Sequence, residues 1–304
     1  TDCHMQEYHV PVLLNPSVDA LVYDSDGIYA DATFGGGGHS RAILKKLSAK
    51  GRLVAFDRDE EALANAPDDQ RFTLVNHNFR FIKQFLQYGK LTPISGILAD
   101  LGISSHQINV GERGFAHRLD GPLDMRMDKK SPVSAADIIN TYPEEKLKHI
   151  FKIWGEIPNA GKLAGIICRG RTGQTISSTE QFKKLIAPCT PKQTPAKYLS
   201  QVYQALRIEV NGEMQALEAL LTSSTDCIRK GGRFVIISYH SLEDRMVKNF
   251  LQTGNLEGIR KTDMYGNVER PFDPEPNKAI VPGDEEILIN NRARSAKMRI
   301  GVKR

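Results

Sequence analysis

The order of apolar and polar positions changes character twice along the chain. In the first third, short apolar runs alternate with stretches whose apolar residues recur at helical spacing, the rhythm of a parallel sheet with crossover helices. Gly27-Ile28-Tyr29-Ala30-Asp31-Ala32 reads as a strand running into Gly35-Gly36-Gly37-Gly38. His39 to Leu47 follows as a helix with Ala42, Ile43 and Leu47 on one face. Gly51-Arg52 opens a second strand, Leu53-Val54-Ala55-Phe56, which ends in Asp57. A helix pattern from Glu60 to Ala66 stops at Pro67. Phe72-Thr73-Leu74-Val75 is a third strand and Ile94 to Ala99 a fourth, ending at Asp100.

From about Gln107 to Lys197 strand signals are few, and amphipathic helices take over. Ser134 to Tyr142 is predicted as a helix with Ser134 as its N-cap. Pro143-Glu144-Glu145 opens the next, with Leu147, Ile150, Phe151 and Trp154 at helical spacing and Pro in the first turn. Gly161 to Cys168 and Thr179 to Ile186 are shorter helices, and Ala196 to Leu221 is a long one that Gly212 interrupts. Strand character returns at Gly231-Gly232-Arg233-Phe234-Val235-Ile236-Ile237-Ser238, followed by a helix from Leu242 to Phe250. Lys278-Ala279-Ile280-Val281 and Ala296 to Val302 read as the last two strands. The expected architecture is an α/β domain made of residues 1–107 and 211–304, interrupted by an all-helical insertion at 108–210.

Composition narrows the class. A chain of 304 residues, 40% hydrophobic and 25% charged, is an ordinary globular protein rather than a disordered, collagenous or coiled-coil one. No apolar run reaches the ~18 residues of a membrane span. The polar start, Thr1 to Tyr8, lacks a signal-peptide pattern, so a cytoplasmic protein is expected. Cys3, Cys168, Cys189 and Cys227 lie far apart with no C-x-x-C pair, so neither a zinc site nor a disulfide framework is readable. The net charge of +5 is unevenly spread. Residues 110–211 carry 16 Lys and Arg against 10 Asp and Glu. Arg292, Arg294, Lys297, Arg299, Lys303 and Arg304 close the chain with no acid among them. A polyanion such as RNA would account for both excesses, and so would solvated surface.

Asp31-Ala32-Thr33-Phe34-Gly35-Gly36-Gly37-Gly38-His39 sits between a strand and a helix, where a doubly wound sheet binds nucleotides. Glycines there let the backbone approach a ligand. Asp57, 20 residues beyond Gly37, ends the next strand and can accept hydrogen bonds from both hydroxyls of a ribose. A dinucleotide would bring a pyrophosphate, which favours a spaced G-x-G-x-x-G and no nearby acid. S-adenosylmethionine instead carries an ammonium and a sulfonium, so Asp31 beside the glycines tilts the choice towards it. Phe79 after the third strand is placed to pack on an adenine. Asp100-Leu101-Gly102-Ile103-Ser104-Ser105 lies after the fourth, beside the point where a transferred methyl would sit.

These residues resemble a known family. Tyr8 to Leu14, Asp31 to Ser40, Asp100 to Ser105, Glu112-Arg113-Gly114-Phe115, the run from Asp120 to Asp128, Gln204-Ala205-Leu206-Arg207-Ile208, Ser241-Leu242-Glu243-Asp244-Arg245 and Arg292 to Lys297 carry the likeness. They are similar to the bacterial S-adenosylmethionine-dependent methyltransferases acting on cytosine N4 of 16S ribosomal RNA. The resemblance implies a Rossmann-like class I methyltransferase sheet with an inserted helical domain for substrate recognition. It implies cofactor contacts from Gly37, Gly38 and His39, a ribose held by Asp57, an adenine flanked by Phe79, and a methionyl pocket completed by Asp100 and Gln107. The implied substrate is a cytidine in the decoding region of 16S rRNA (position 1402) within the small ribosomal subunit. The sequence leaves monomer and homodimer equally open. Two stretches of the insertion, 157–162 and 199–204, depart from the family's pattern.

The exocyclic amine of cytosine is a poor nucleophile because its lone pair is delocalised into the ring. Acceptors that draw on its protons would help, and Asp100 or Ser104 is expected to supply one. His240, after the fifth strand, is expected to take the released proton or to bind the base, with Tyr239 stacking on it. The alternative for His240 is a histidine satisfied within the fold. Arg113 and Arg126, with Arg118, Lys129 and Lys130, are expected to close over the target nucleotide and hold its phosphates. Competing functions are a methyltransferase for a protein or small molecule, a nicotinamide oxidoreductase, and a non-catalytic RNA-binding factor.

Overall fold

The computed structural model describes residues 11–304, so Cys3 and the Tyr8-His9-Val10 part of the first matching segment lie outside the described residues. The chain forms two compact units, one from residues up to Gly102 together with Gln215–Arg304, the other Ile103–Met214. The second extends a few residues beyond 108–210 at each end.

The first unit is built on a seven-stranded sheet. Its strands are β1 (Ile28–Asp31), β2 (Arg52–Phe56), β3 (Phe72–Val75), β4 (Ile94–Asp100), β5 (Ile228–Ser238), β6 (Phe272–Pro274) and β7 (Lys297–Lys303). They lie in the order β3-β2-β1-β4-β5-β7-β6, a doubly wound Rossmann-like arrangement. β1 to β5 are parallel, and β7 runs antiparallel between β5 and β6. Helices α1 (Leu14–Leu21), α2 (Gly38–Lys46) and α3 (Ile82–Tyr88) belong to this unit. Six of the seven β4 residues are buried, as expected of a central strand covered on both faces. Val18 and Leu21 of α1, and Ile43 and Leu44 of α2, join one core with Tyr29, Leu98 and Val235.

The second unit is helical: α4 (Ser105–Asn109), α5 (Ala135–Thr141), α6 (Glu144–Ile153), α7 (Ala160–Gly170), α8 (Thr179–Ile186) and α9 (Pro195–Asn211). Its core draws one apolar stripe from each of the longer helices, including Ile138, Phe151, Leu163, Phe182 and Leu206. Gly212, at φ +56°, ends α9 in the left-handed conformation that favours glycine. α10 (Glu213–Cys227) then leads back into the sheet, where α11 (Ser241–Thr253) and α12 (Asp284–Ile289) complete the fold.

Three sequence expectations are corrected. Residues 278–281 form no strand: Ile280 makes a single bridge to Met298, and the edge strand is Phe272–Pro274, too short to show an alternating pattern. The Glu60 stretch is a 3-10 turn over Glu60–Asn65, started by Asp59, whose carboxylate accepts the Glu61 N–H. Pro143 precedes α6 as its N-cap rather than standing in the first turn. The break expected at Gly212 is present, between α9 and α10. Among the described residues no helix is long and apolar enough to cross a membrane.

Candidate active site

The parallel strands deliver their carboxyl ends to one edge. Across it stand Phe79 after β3, Asp57 after β2, Asp31 and the glycine loop after β1, Asp100 at the end of β4, and Tyr239 and His240 after β5. Strand order reverses between β1 and β4, so Asp31 and Asp100 flank the switch point where ligands of such sheets bind.

The glycine loop is pinned from within. Asp31 is fully buried; its Oδ1 accepts the Thr33 N–H at 3.1 Å and its Oδ2 the Ser40 hydroxyl at 2.6 Å. Burial pushes its carboxyl above the usual range, against the pull of His39 and Ser40. Asp31 therefore braces the loop, and the direct contact with a cationic ligand that its position suggested falls to its neighbours. The Asp100 N–H donates to the Thr33 hydroxyl at 2.7 Å, which ties the end of β4 to the same loop. Gly35 at φ +52° and Gly37 at φ +75° make the turn, and a Cβ at Gly38 would lie 2.3 Å from Pro11 Cγ. Arg41, the nearby cation, donates to the carbonyls of Gly36 and Asn65.

Asp57 accepts the Gly35 N–H at 2.7 Å on Oδ2 and the Asp59 N–H at 2.9 Å on Oδ1. Each oxygen has one bond, and a carboxylate has about four lone-pair sites, so capacity remains for two hydroxyls. Burial raises its carboxyl above the usual range, opposed by those two N–H groups. Phe79 opens a short turn started by Asn78, whose side chain accepts the Arg80 N–H, and is half-buried.

Among the described residues, three buried side-chain atoms have no hydrogen-bond partner: His39 Nε2, Asp100 Oδ1 and His240 Nε2. All three stand on this edge. His39 Nδ1 is 3.8 Å from Asp100 Oδ2, and burial lowers the imidazole's affinity for a second proton. The Asp100 carboxyl is raised to about 6 by burial. Hydrogen bonds from the Tyr239 hydroxyl and the Gly102 N–H oppose that rise, and the charge of Glu243 adds to it. Burial and Asp100 together keep the Tyr239 phenol protonated far above its ordinary range. Its ring lies against Gly102, where a Cβ would come within 2.8 Å of Cε2, so Tyr239 serves Asp100 through its hydroxyl.

His240 is the N-cap of α11: its side chain accepts the Glu243 N–H at 3.4 Å through Nδ1. An accepting Nδ1 places the neutral ring's proton on Nε2, which makes His240 a donor. Of the two roles expected of it, this arrangement favours binding the base.

The remaining predicted residues belong to the helical unit. The Ser104 hydroxyl accepts the Gln107 N–H at 3.1 Å, and Gln107 Oε1 accepts the Ser104 N–H at 3.2 Å, a reciprocal cap on α4. Arg113 is 4% exposed and donates to the carbonyls of Arg126 and Met127 at 3.0 and 3.2 Å. Arg126 forks onto Asp124 with two 2.8 Å bonds and also reaches the Lys129 and Ser131 carbonyls. Arg113 is thus turned into the protein and Arg126, about a quarter exposed, is tied to its own loop, where a phosphate contact was expected of both. Within the closing basic stretch, Lys297 and Arg299 pair with Asp244 and Arg304 pairs with Asp273.

Sequence reasoning missed Thr33, Ser40 and Glu243. The first two lie in the glycine segment, and Glu243 stands three residues after a helix-capping position, the spacing of a capping box.

The sequence profile of the MraW methylase family matches residues 6–304. A Ribosomal RNA small subunit methyltransferase H from Bacteroides fragilis is 52% identical over 297 residues, 98% of each chain. The protein of that name from Flavobacterium johnsoniae is also 52% identical over 297 residues, again 98% of each. Among solved structures, an rRNA methylase from Streptococcus thermophilus aligns over 94% of this chain and 90% of its own, with 14% identity and a TM-score of 0.38. On the full-length match in sequence, this chain belongs to the MraW methylase family.

Proposed function

We propose that this protein transfers the methyl group of S-adenosylmethionine to the exocyclic N4 of a cytidine in small-subunit ribosomal RNA, in the decoding region. The observation that carries the reading is Asp100: a buried carboxylate oxygen without a partner, at the switch point of the sheet, beside a glycine turn. The names of the relatives point to the same substrate class.

The cofactor fits the residues present. Asp57 keeps lone pairs for ribose hydroxyls, Phe79 offers a ring for the adenine, and Gly37, Gly38 and His39 form the turn beneath the methionyl end. The acids Asp57 and Asp100 suit a cationic ligand. S-adenosylmethionine supplies a methyl group on a positively charged sulfur, so attack by a neutral amine needs no prior deprotonation. Above pH 6 or so Asp100 is ionised, and its free oxygen accepts a hydrogen bond from the amine. That bond favours a tetrahedral nitrogen, and the Asp100 carboxylate afterwards receives the proton that the methylated amine gives up. The His240 Nε2–H donates to an acceptor on the base, and Tyr239 holds Asp100. Ser104 and Gln107 fix the start of α4, next in sequence to this motif. The exposed Arg118, Lys129 and Lys130 supply phosphate contacts in place of Arg113 and Arg126.

The test is to incubate small subunits lacking the modification with isotopically labelled cofactor and to map the product by mass spectrometry. A labelled N4-methylcytidine at one site is the expected result; label in protein, or on another atom, ends the proposal.

A further inference from the structure

Glu243 is 3% exposed, on the first turn of α11, and no role was assigned to it from sequence. Its Oε2 accepts the Tyr239 N–H at 2.9 Å. Its Oε1 lies 3.1 Å from His240 Nε2, close enough for charge attraction yet outside the direction of a hydrogen bond, so the Nε2–H remains unspent. Its own backbone N–H caps onto His240 Nδ1. One buried carboxylate thus holds two consecutive residues at the carboxyl end of β5. Burying an ion costs several kcal/mol unless its surroundings repay it. A plain helix cap needs no charge, since a glutamine oxygen would accept the Tyr239 N–H equally well.

We propose that Glu243 is a positioning residue for methyl transfer, holding the His240 ring in its Nε2–H form and aiming that donor at the target base. The inference rests on the reading of the site given above. The carboxylate faces the ring's Nε2 edge, where only an acceptor is compatible with a proton on that nitrogen. An amide there would set its NH2 group against the ring N–H and favour rotation or the other tautomer. Glu243 also acts on Asp100, together with His39, Asp31 and Tyr239, the other titratable groups of the sheet unit around that carboxyl. Its negative charge raises Asp100, so neutralising it lowers the pH at which Asp100 ionises.

Glu243→Gln is the decisive variant. It is expected to bind S-adenosylmethionine with wild-type affinity in calorimetry and to methylate small subunits about 10- to 100-fold more slowly, the loss of one to two oriented hydrogen bonds. The acid limb of its kcat profile should move to lower pH, because the charge that raises Asp100 is removed. In a His240→Ala background the same substitution should cost little further, because the two residues act as one unit. Wild-type turnover, or losses that multiply independently in the double variant, overturns the proposal. Should Glu243→Gln fold poorly, nitrogen NMR of the intact protein with labelled histidine rings reads the tautomer directly, with His240→Ala identifying the signal. A proton on Nδ1 overturns the assignment. That spectrum does not depend on methylation, so a wrong substrate would be told apart from a wrong role for Glu243.

Discussion

The two units treat their buried polar groups in opposite ways. In the helical unit, Arg113 spends its guanidinium on two carbonyls, and Arg207 forks onto Glu213 with two 2.9 Å bonds. Asn211 bridges the Met127 N–H and the Met125 carbonyl. At the carboxyl edge of the sheet, His39, Asp100 and His240 each keep a buried atom without a partner. Such an atom costs about 1–3 kcal/mol relative to a satisfied one. Folding alone gives no reason to keep three of them within a single edge, whereas a ligand that completes them does. The sheet edge is therefore shaped for something it binds, and the polar groups of the helical unit are shaped for its own stability.

Asp100→Asn tests this contrast most severely. Turnover should fall by about 100-fold or more, the usual contribution of a positioned proton acceptor. Stability should move the other way. The folded carboxyl titrates near 6, above its unfolded value of 3.8, so folding favours the protonated form. That stabilisation is complete below the unfolded value and is lost as pH rises through about 6. An asparagine stays neutral throughout. The cofactor-free variant should therefore be more stable than the wild type at pH 8, by roughly 1–3 kcal/mol, and no more stable at pH 3. A variant that melts earlier at pH 8 would show that Asp100 serves the fold.

Arg113→Met should do the reverse. Two carbonyls of the helical unit lose their donor, and the melting transition should show a loss of about 2 kcal/mol. The salt dependence of RNA affinity should keep its slope, because a guanidinium facing inward neutralises no phosphate. A flatter slope would return Arg113 to the RNA surface.

The same contrast explains what could be read before any coordinates. Strand ends and the glycine turn were legible because each rests on local chemistry: an apolar run, an acid at its end, glycines where φ is positive. Asp57, Asp100 and the turn at Gly37 were found in that way. The uses of Arg113, Arg126, Ser104 and His240 were not legible, since a cation or hydroxyl in a loop looks the same whether its partner is a phosphate or a carbonyl that only tertiary structure brings near. Thr33 and Ser40 were overlooked for the complementary reason: their partners, the Asp100 N–H and Asp31, reach them across a strand or a helical turn. β6 escaped because three residues carry no period.

Gly37→Ala should have a smaller effect than either. A left-handed φ costs a residue with Cβ about 1–2 kcal/mol, and the new methyl would meet the Phe34 ring and Arg41 Nη1 at 2.9 Å. Calorimetry should show weaker cofactor binding, with kcat at saturation little changed, the result expected of a turn that holds the proposed ligand away from the reacting amine. Equal losses in both would place the turn in the chemistry.

The smallest effect belongs to Asp124, the counterpart of Asp100 in the helical unit. Both are partly buried aspartates, but their linkage to pH has opposite sign. Burial pushes the Asp124 carboxyl up, yet hydrogen bonds from the Arg126 side chain and backbone outweigh it and leave the group below its usual value. Its contribution is therefore present above the unfolded value and fades as pH falls through the lower, folded one. The fork is about a quarter exposed on each side, so solvent screens it, and Asp124→Asn should cost only about 0.5–1 kcal/mol at pH 7. At pH 2 the difference should shrink. Melting both aspartate variants across pH 2 to 8 would set the two slopes side by side: against the wild type, Asp100→Asn gains as pH rises and Asp124→Asn loses. Two slopes of the same sign would mean that the edge of the sheet and the helical unit hold their carboxylates for the same reason, and the division between them would fail.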